Sequence, residues 1–99
     1  MNYLNDIEDF DTYINDEVIV DFYADWCGPC KALGVILEEY INDNPDKKIL
    51  KVNVDQFKGL ARKYNVITIP ALKVFKEGKV VKEKTGLMMR NELEEFLGE

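Results

Sequence analysis

Val18-Ile19-Val20-Asp21-Phe22-Tyr23-Ala24 runs directly into Asp25-Trp26-Cys27-Gly28-Pro29-Cys30-Lys31, and this junction decides the fold. The first seven residues are apolar or aromatic apart from Asp21, the pattern of a central strand covered on both faces. Beyond Pro29, residues Leu33, Ile36, Leu37, Tyr40 and Ile41 recur at helical spacing until Asn42-Asp43-Asn44-Pro45 stops them. That predicts a helix of roughly three to four turns. A buried strand feeds a helix, and a cysteine pair sits at the join.

Working outward, Ile49 to Asp55 reads as a second buried strand, and Phe57, Leu60, Ala61 and Tyr64 mark one face of a short helix. Asn65 is placed to close that helix in the left-handed conformation. Ala71 to Lys76, the turn Glu77-Gly78, and Lys79 to Thr85 form an antiparallel hairpin. A last helix carries Met89, Leu93, Phe96 and Leu97, with Met88 and Met89 packing its start and Glu92, Glu94 and Glu95 on a solvated face. Upstream, Met1 to Leu4 is a short edge strand. Asn5 followed by Glu8 reads as a capping box opening a short helix, whose Ile7, Phe10 and Ile14 face inward. Alternation early and a hairpin late predict an α/β fold, a central mixed β-sheet sandwiched between helices.

With 99 residues, 46% hydrophobic and 32% charged, one soluble domain over residues 1–99 is expected, with no room for a second core. The net charge of -6 and the lack of a long basic run argue against a nucleic-acid surface. Met1 to Phe10 has no basic segment followed by an apolar stretch, so neither a secretory signal nor a membrane span is drawn. With Met1 as the native start, a cytoplasmic monomer is expected.

A lone C-x-x-C closes almost no loop and adds little stability, so its purpose is chemical. Half a zinc site looks the same, but the chain has no histidine and no third cysteine. No metal and no cofactor are therefore expected beyond the Cys27-Cys30 pair itself. In the first turn of a helix, residues three apart lie about 5 to 6 Å apart at their β-carbons, close enough for a reversible disulfide. Pro29 suits the first helical position and puts Cys27 just ahead of the helix. Unpaired N–H groups and the positive end of the helix dipole there favour a thiolate, which makes Cys27 the attacking sulfur. Cys30, one turn inside, resolves the mixed disulfide.

At Trp26-Cys27-Gly28-Pro29-Cys30-Lys31, preceded by Val20 to Asp25, the sequence resembles the thioredoxin family. The resemblance continues through Lys51-Val52-Asn53-Val54-Asp55, Ile69-Pro70-Ala71 and Phe75-Lys76-Glu77-Gly78, and spans roughly residues 10 to 97. It implies the thioredoxin fold and a protein-disulfide reductase and electron carrier, re-reduced by a thioredoxin reductase and acting on disulfide-containing proteins. The Gly28-Pro29 pair resembles the reducing members, whereas oxidases and isomerases often carry histidine there. The same resemblance implies a cis bond before Pro70, strand-like pairing of the Ile69 backbone with substrate, and a flat docking surface of Trp26, Gly28, Pro29, Ile69, Pro70 and Gly86.

Asp21 and Lys51 match the family's buried acid and its lysine partner, and elementary physics agrees. A carboxylate inside an apolar strand is costly to ionise, so its pKa rises toward neutrality, where it can take the proton of Cys30 through water. Departures from the family pattern are Gly34-Val35, where a helix-kinking proline is frequent, Met89 in place of a Ser or Thr cap, Thr68 and Ala71. A different helix bend, a weakened last cap and altered partner preference are the corresponding expectations. An oxidant or isomerase on the same fold, and a binding module without turnover, are the competing readings. Gly28-Pro29 argues against the first, and intact Cys27, Cys30 and Asp21 against the second.

Overall fold

β-branched and aromatic residues build five strands in a computed structural model that describes residues 1–98. They are β1 (Asn2–Tyr3), β2 (Val18–Tyr23), β3 (Ile49–Asn53), β4 (Ala71–Lys76) and β5 (Lys79–Thr85). Their order across the sheet is β1-β3-β2-β4-β5, with β1, β3 and β2 parallel and β4 and β5 antiparallel. Parallel neighbours need crossover connections, and the helices α1 (Phe10–Asn15) and α2 (Gly28–Asp43) lie within them. The helices α3 (Lys58–Lys63) and α4 (Arg90–Leu97) complete the set.

β2 is central, as its unbroken apolar run predicts, and five of its six residues are buried. Val18, Val20 and Phe22 turn to one face and pack with Phe10, Ile14, Phe57 and Leu60 from α1 and the α3 segment. Ile19 turns to the other and packs with Leu33, Leu37 and Tyr40 of α2 and Leu93 of α4. The mixed sheet therefore lies between two layers of helix. Asp21, two residues on from Ile19, shares its face toward α2, where Lys51 is the charged neighbour in an otherwise largely apolar layer.

Local chemistry set several boundaries differently from the sequence pattern. Asp6, not Asn5, caps the first turn by accepting the Glu8 N–H at 3.0 Å, and that turn is a 3₁₀ turn, Ile7–Asp9. Ile7 stays half exposed because it precedes α1, while Phe10 and Ile14 are buried. α2 begins at Gly28, which puts Pro29 second in the helix rather than first. Both positions carry N–H groups that have no partner inside the helix, so proline is tolerated at either. The helix runs 16 residues, longer than expected, and passes Gly34-Val35 without interruption. It ends at Asn44, whose N–H and side-chain amide both reach the Tyr40 carbonyl.

The hairpin is as expected: Glu77 (φ 53°) and Gly78 (φ 81°) form a two-residue turn with both centres left-handed. Asn65 closes α3 with φ 57°. Met88 is fully buried, but Met89 is exposed and extended at the start of α4. Only Met88 is packing. The Met89 N–H donates to Glu92 Oε1 at 3.2 Å, which is half of a capping box, since a methionine side chain offers no oxygen in return.

Candidate functional site

The site grows from the end of β2. The Cys27 N–H donates to the Ala24 carbonyl at 3.2 Å, which turns the chain sharply and sets Cys27 as the residue that caps α2. Its Sγ accepts the Cys30 N–H at 3.2 Å, so the sulfur does the work that Ser or Asp does at other helix starts. Cys27 and Cys30 form a disulfide with α-carbons 5.2 Å apart. Both are buried, Cys27 at 5% exposure and Cys30 at 1%, against Ala24, Tyr23, Val54 and Ile69. Cys27 is thus less open than a place ahead of the helix suggested, and the order of exposure is the expected one.

Around the disulfide, Trp26, Gly28 and Pro29 are exposed, Trp26 at 71%. The Trp26 indole N–H donates to Asp55 Oδ2 at 2.8 Å. Asp55 is held by Asn53, whose Oδ1 accepts the N–H groups of Asp55 (2.9 Å) and Gln56 (3.3 Å). Sequence reasoning missed Asp55. The signal available was Asn53-x-Asp55, an Asx turn at the end of a strand. The Ile69-Pro70 bond is cis, and the Pro70 carbonyl accepts the Gly86 N–H at 2.8 Å, with Gly86 at φ 92°. Ile69 packs on the cysteine cluster, so the two loops that carry Ile69, Pro70 and Gly86 are joined beside it. Thr68 is exposed, whereas Ala71 is 2% exposed and packs in the core.

On the face of β2 that packs against α2, Asp21 is fully buried, and the Lys51 ammonium stands 3.5 Å from its Oδ2. Neither Asp21 oxygen accepts a hydrogen bond from a described residue. Burial pushes the Asp21 carboxyl up to about 6, with the Lys51 charge acting against it. A cleft of about 390 Å³, lined by Tyr3, Tyr23, Ala24, Asp25, Cys30, Lys31 and Lys51, reaches the lysine of this pair. Among the described residues no cluster of three or more His, Cys, Asp or Glu is placed to hold a metal. No described helix is long and apolar enough to cross a membrane.

The thioredoxin family model matches residues 2–99. The chain belongs to the thioredoxin family. It is 45% identical over 83 residues to a thioredoxin of Mycoplasmoides gallisepticum, covering 84% of this chain and 83% of that one. It is 43% identical over 97 residues to thioredoxin C-2 of Corynebacterium nephridii, covering 97% and 86%. Among solved structures it is similar to oxidised mitochondrial thioredoxin 3 of Saccharomyces cerevisiae, with a TM-score of 0.85 and 31% identity over 96% of this chain and 91% of that one. The same score, at 30% identity and the same coverage, relates it to a chain from a study of thiol resolution in a yeast mitochondrial 1-Cys peroxiredoxin via glutathione/thioredoxin systems. This thioredoxin-family chain is a thiol-disulfide oxidoreductase, a protein-disulfide oxidoreductase whose redox-active centre is the Cys27–Cys30 disulfide.

Proposed function

We propose that the chain works as one domain over residues 1–99, a monomeric cytoplasmic reductant of protein disulfides that a thioredoxin reductase returns to the dithiol. The observation that carries this reading is the Cys27 Sγ at the cap of α2, accepting the Cys30 N–H, with Asp21 buried in β2, the strand that leads into the pair. A thiolate there is favoured by that N–H and by the helix dipole. Cys27 attacks one sulfur of a target disulfide, forming a mixed disulfide and releasing the first target thiolate, which takes a proton from water. Cys30 then loses its proton to the Asp21 carboxylate through water and attacks the Cys27 sulfur. The second target thiolate leaves, and Cys27–Cys30 closes. Lys51 tempers the cost of the buried Asp21 charge.

Trp26, Gly28, Pro29, Ile69, Pro70 and Gly86 form the docking surface, with the Ile69 backbone pairing to the substrate chain. A cytoplasm keeps such a pair reduced, and no cofactor is needed beyond the pair itself. The test is turnover: catalytic amounts with NADPH and a thioredoxin reductase should reduce insulin disulfides many times per molecule. Stoichiometric reduction that stops after one equivalent with every reductase supplied would refute the reading.

A further inference from the structure

The residue row that holds the buried ion pair does not end at Lys51. In the sheet, Asp21 on β2 registers with Lys51 on β3, and Lys51 registers with Tyr3 on edge strand β1, so the three side chains share one face. Tyr23, two residues beyond Asp21, joins them on that face. The Lys51 Nζ lies 4.4 Å from the Tyr23 ring centre and 5.6 Å from that of Tyr3, both within cation–π range. The two rings brace each other edge to face at 6.2 Å. From α2, a β-carbon at Gly34 would stand 3.4 Å from the same Nζ, an ordinary contact distance, so the helix passes close beside the ammonium.

We propose that Tyr3 is a positioning residue for the resolving step: with Tyr23 and the close passage of α2 at Gly34, its ring confines the Lys51 ammonium against the Asp21 carboxylate and walls the cleft leading to Cys30. The proposal rests on the reading of Asp21 as proton acceptor. Lys51 has a flexible four-carbon stem, and the cleft beside it is open. A lysine free to swing into that cleft would leave Asp21 buried among apolar side chains with its nearest cation gone. The aromatic walls hold it inward. They act on the reaction only through Asp21: an acceptor must be ionised when Cys30 gives up its proton, and the nearby ammonium favours the ionised form.

The charged and titratable groups around Asp21 and the adjoining cleft are few. β3 supplies Lys51 beside Asp21, and α2 supplies Tyr40 in the same layer and Cys30 and Lys31 along the cleft. The end of β2 supplies Tyr23 and Asp25, and β1 supplies Tyr3. β4 sets the apolar Leu72 beside Asp21, and the α4 layer covers the face with Met88 and Leu93. Among these, Lys51 is the group whose position the Tyr3 ring controls.

Tyr3 is 53% exposed on a two-residue edge strand, so replacing it leaves the core untouched. The experiment follows the Asp21 carboxyl by carbon-13 NMR across pH 4–9 in the oxidised chain, with insulin reduction measured at pH 6 and pH 8. Tyr3→Leu should raise the Asp21 midpoint by about half a pH unit and roughly halve the rate at pH 6, with no loss at pH 8. Tyr3→Phe, which keeps the ring, should restore both. A merely structural strand residue would lower both rates together and leave the midpoint in place.

Asp21→Asn is the control for the underlying reading and should flatten the rate difference between the two pH values. If Asp21→Asn flattens it while Tyr3→Leu moves neither midpoint nor rate, the positioning role is wrong and the acceptor role of Asp21 stands. If Asp21→Asn leaves the difference intact, the acceptor reading fails and the proposal falls with it.

Discussion

Asp21→Asn should stabilise the oxidised protein, and by an amount that depends on pH in a way the site dictates. The folded carboxyl titrates near 6 against an ordinary 3.8, because burial penalises its charged form. A raised carboxyl pKa means the folded state holds the proton more tightly than the unfolded chain, so raising the pH weakens the fold. The penalty begins near the unfolded value of 3.8, grows until pH passes about 6, and is complete above that. At about 1.4 kcal/mol per pH unit, a shift of about two units destabilises the neutral-pH protein by about 3 kcal/mol. Asn carries no such charge. The stability difference between variant and parent should therefore widen by about 2.5 kcal/mol from pH 4 to pH 8, nearly all of it below pH 7. A pH-independent offset rides on this, because Lys51 is left without its carboxylate. Urea unfolding of both proteins at five pH values gives the curve. A difference that is flat with pH, or that narrows as pH rises, would refute the assignment of Asp21 as a buried, charge-penalised acid.

Reduced protein exposed to limiting iodoacetamide at pH 7 should label Cys27 roughly tenfold faster than Cys30, since Cys27 alone has the helix N-terminus for its thiolate; peptide mapping that shows Cys30 labelled first overturns the roles. Met89→Ser should raise stability by up to about 1 kcal/mol, because Met89 is exposed, extended and placed where a hydroxyl would accept an N–H of the first helical turn. A lower melting temperature would show that the thioether has a packing role. Glu77→Asn should add about 0.5 to 1 kcal/mol, since asparagine tolerates the left-handed conformation that Glu77 holds at φ 53°; thermal unfolding reads this directly, and a loss would mean the Glu77 side chain supports the turn.

The features legible in the sequence were those written locally. An apolar run broken by Asp21 names a strand covered on both faces, and Glu77-Gly78 between alternating stretches names a two-residue turn. The misreadings were also local, and small: two adjacent acceptors, Asn5 and Asp6, both suit a cap, and only geometry chooses Asp6. The predicted strand Ile49 to Asp55 stops at Asn53 because that side chain starts an Asx turn instead of continuing the ladder. What the pattern left hidden depends on long-range register. The Trp26–Asp55 bond joins residues 29 apart, and the row Tyr3-Lys51-Asp21 exists because a two-residue edge strand pairs with β3 in one register. No periodicity encodes either. The cysteine pair was legible because its chemistry and its position at the helix start occupy the same few residues.

The central claim is that Cys27 opens a target disulfide and Cys30 closes the reaction, and one trapping measurement tests it most directly. Cys30→Ser keeps the attacking sulfur at the cap of α2 but removes the thiol that would release the product. Incubated with disulfide-containing proteins and separated without reductant, this variant should hold them as covalent adducts on Cys27 that dithiothreitol releases. Cys27→Ser should hold far fewer, because Cys30 is one turn deeper and the less exposed of the two. Equal capture by both variants, or no adduct that dithiothreitol releases from Cys30→Ser, would contradict the account.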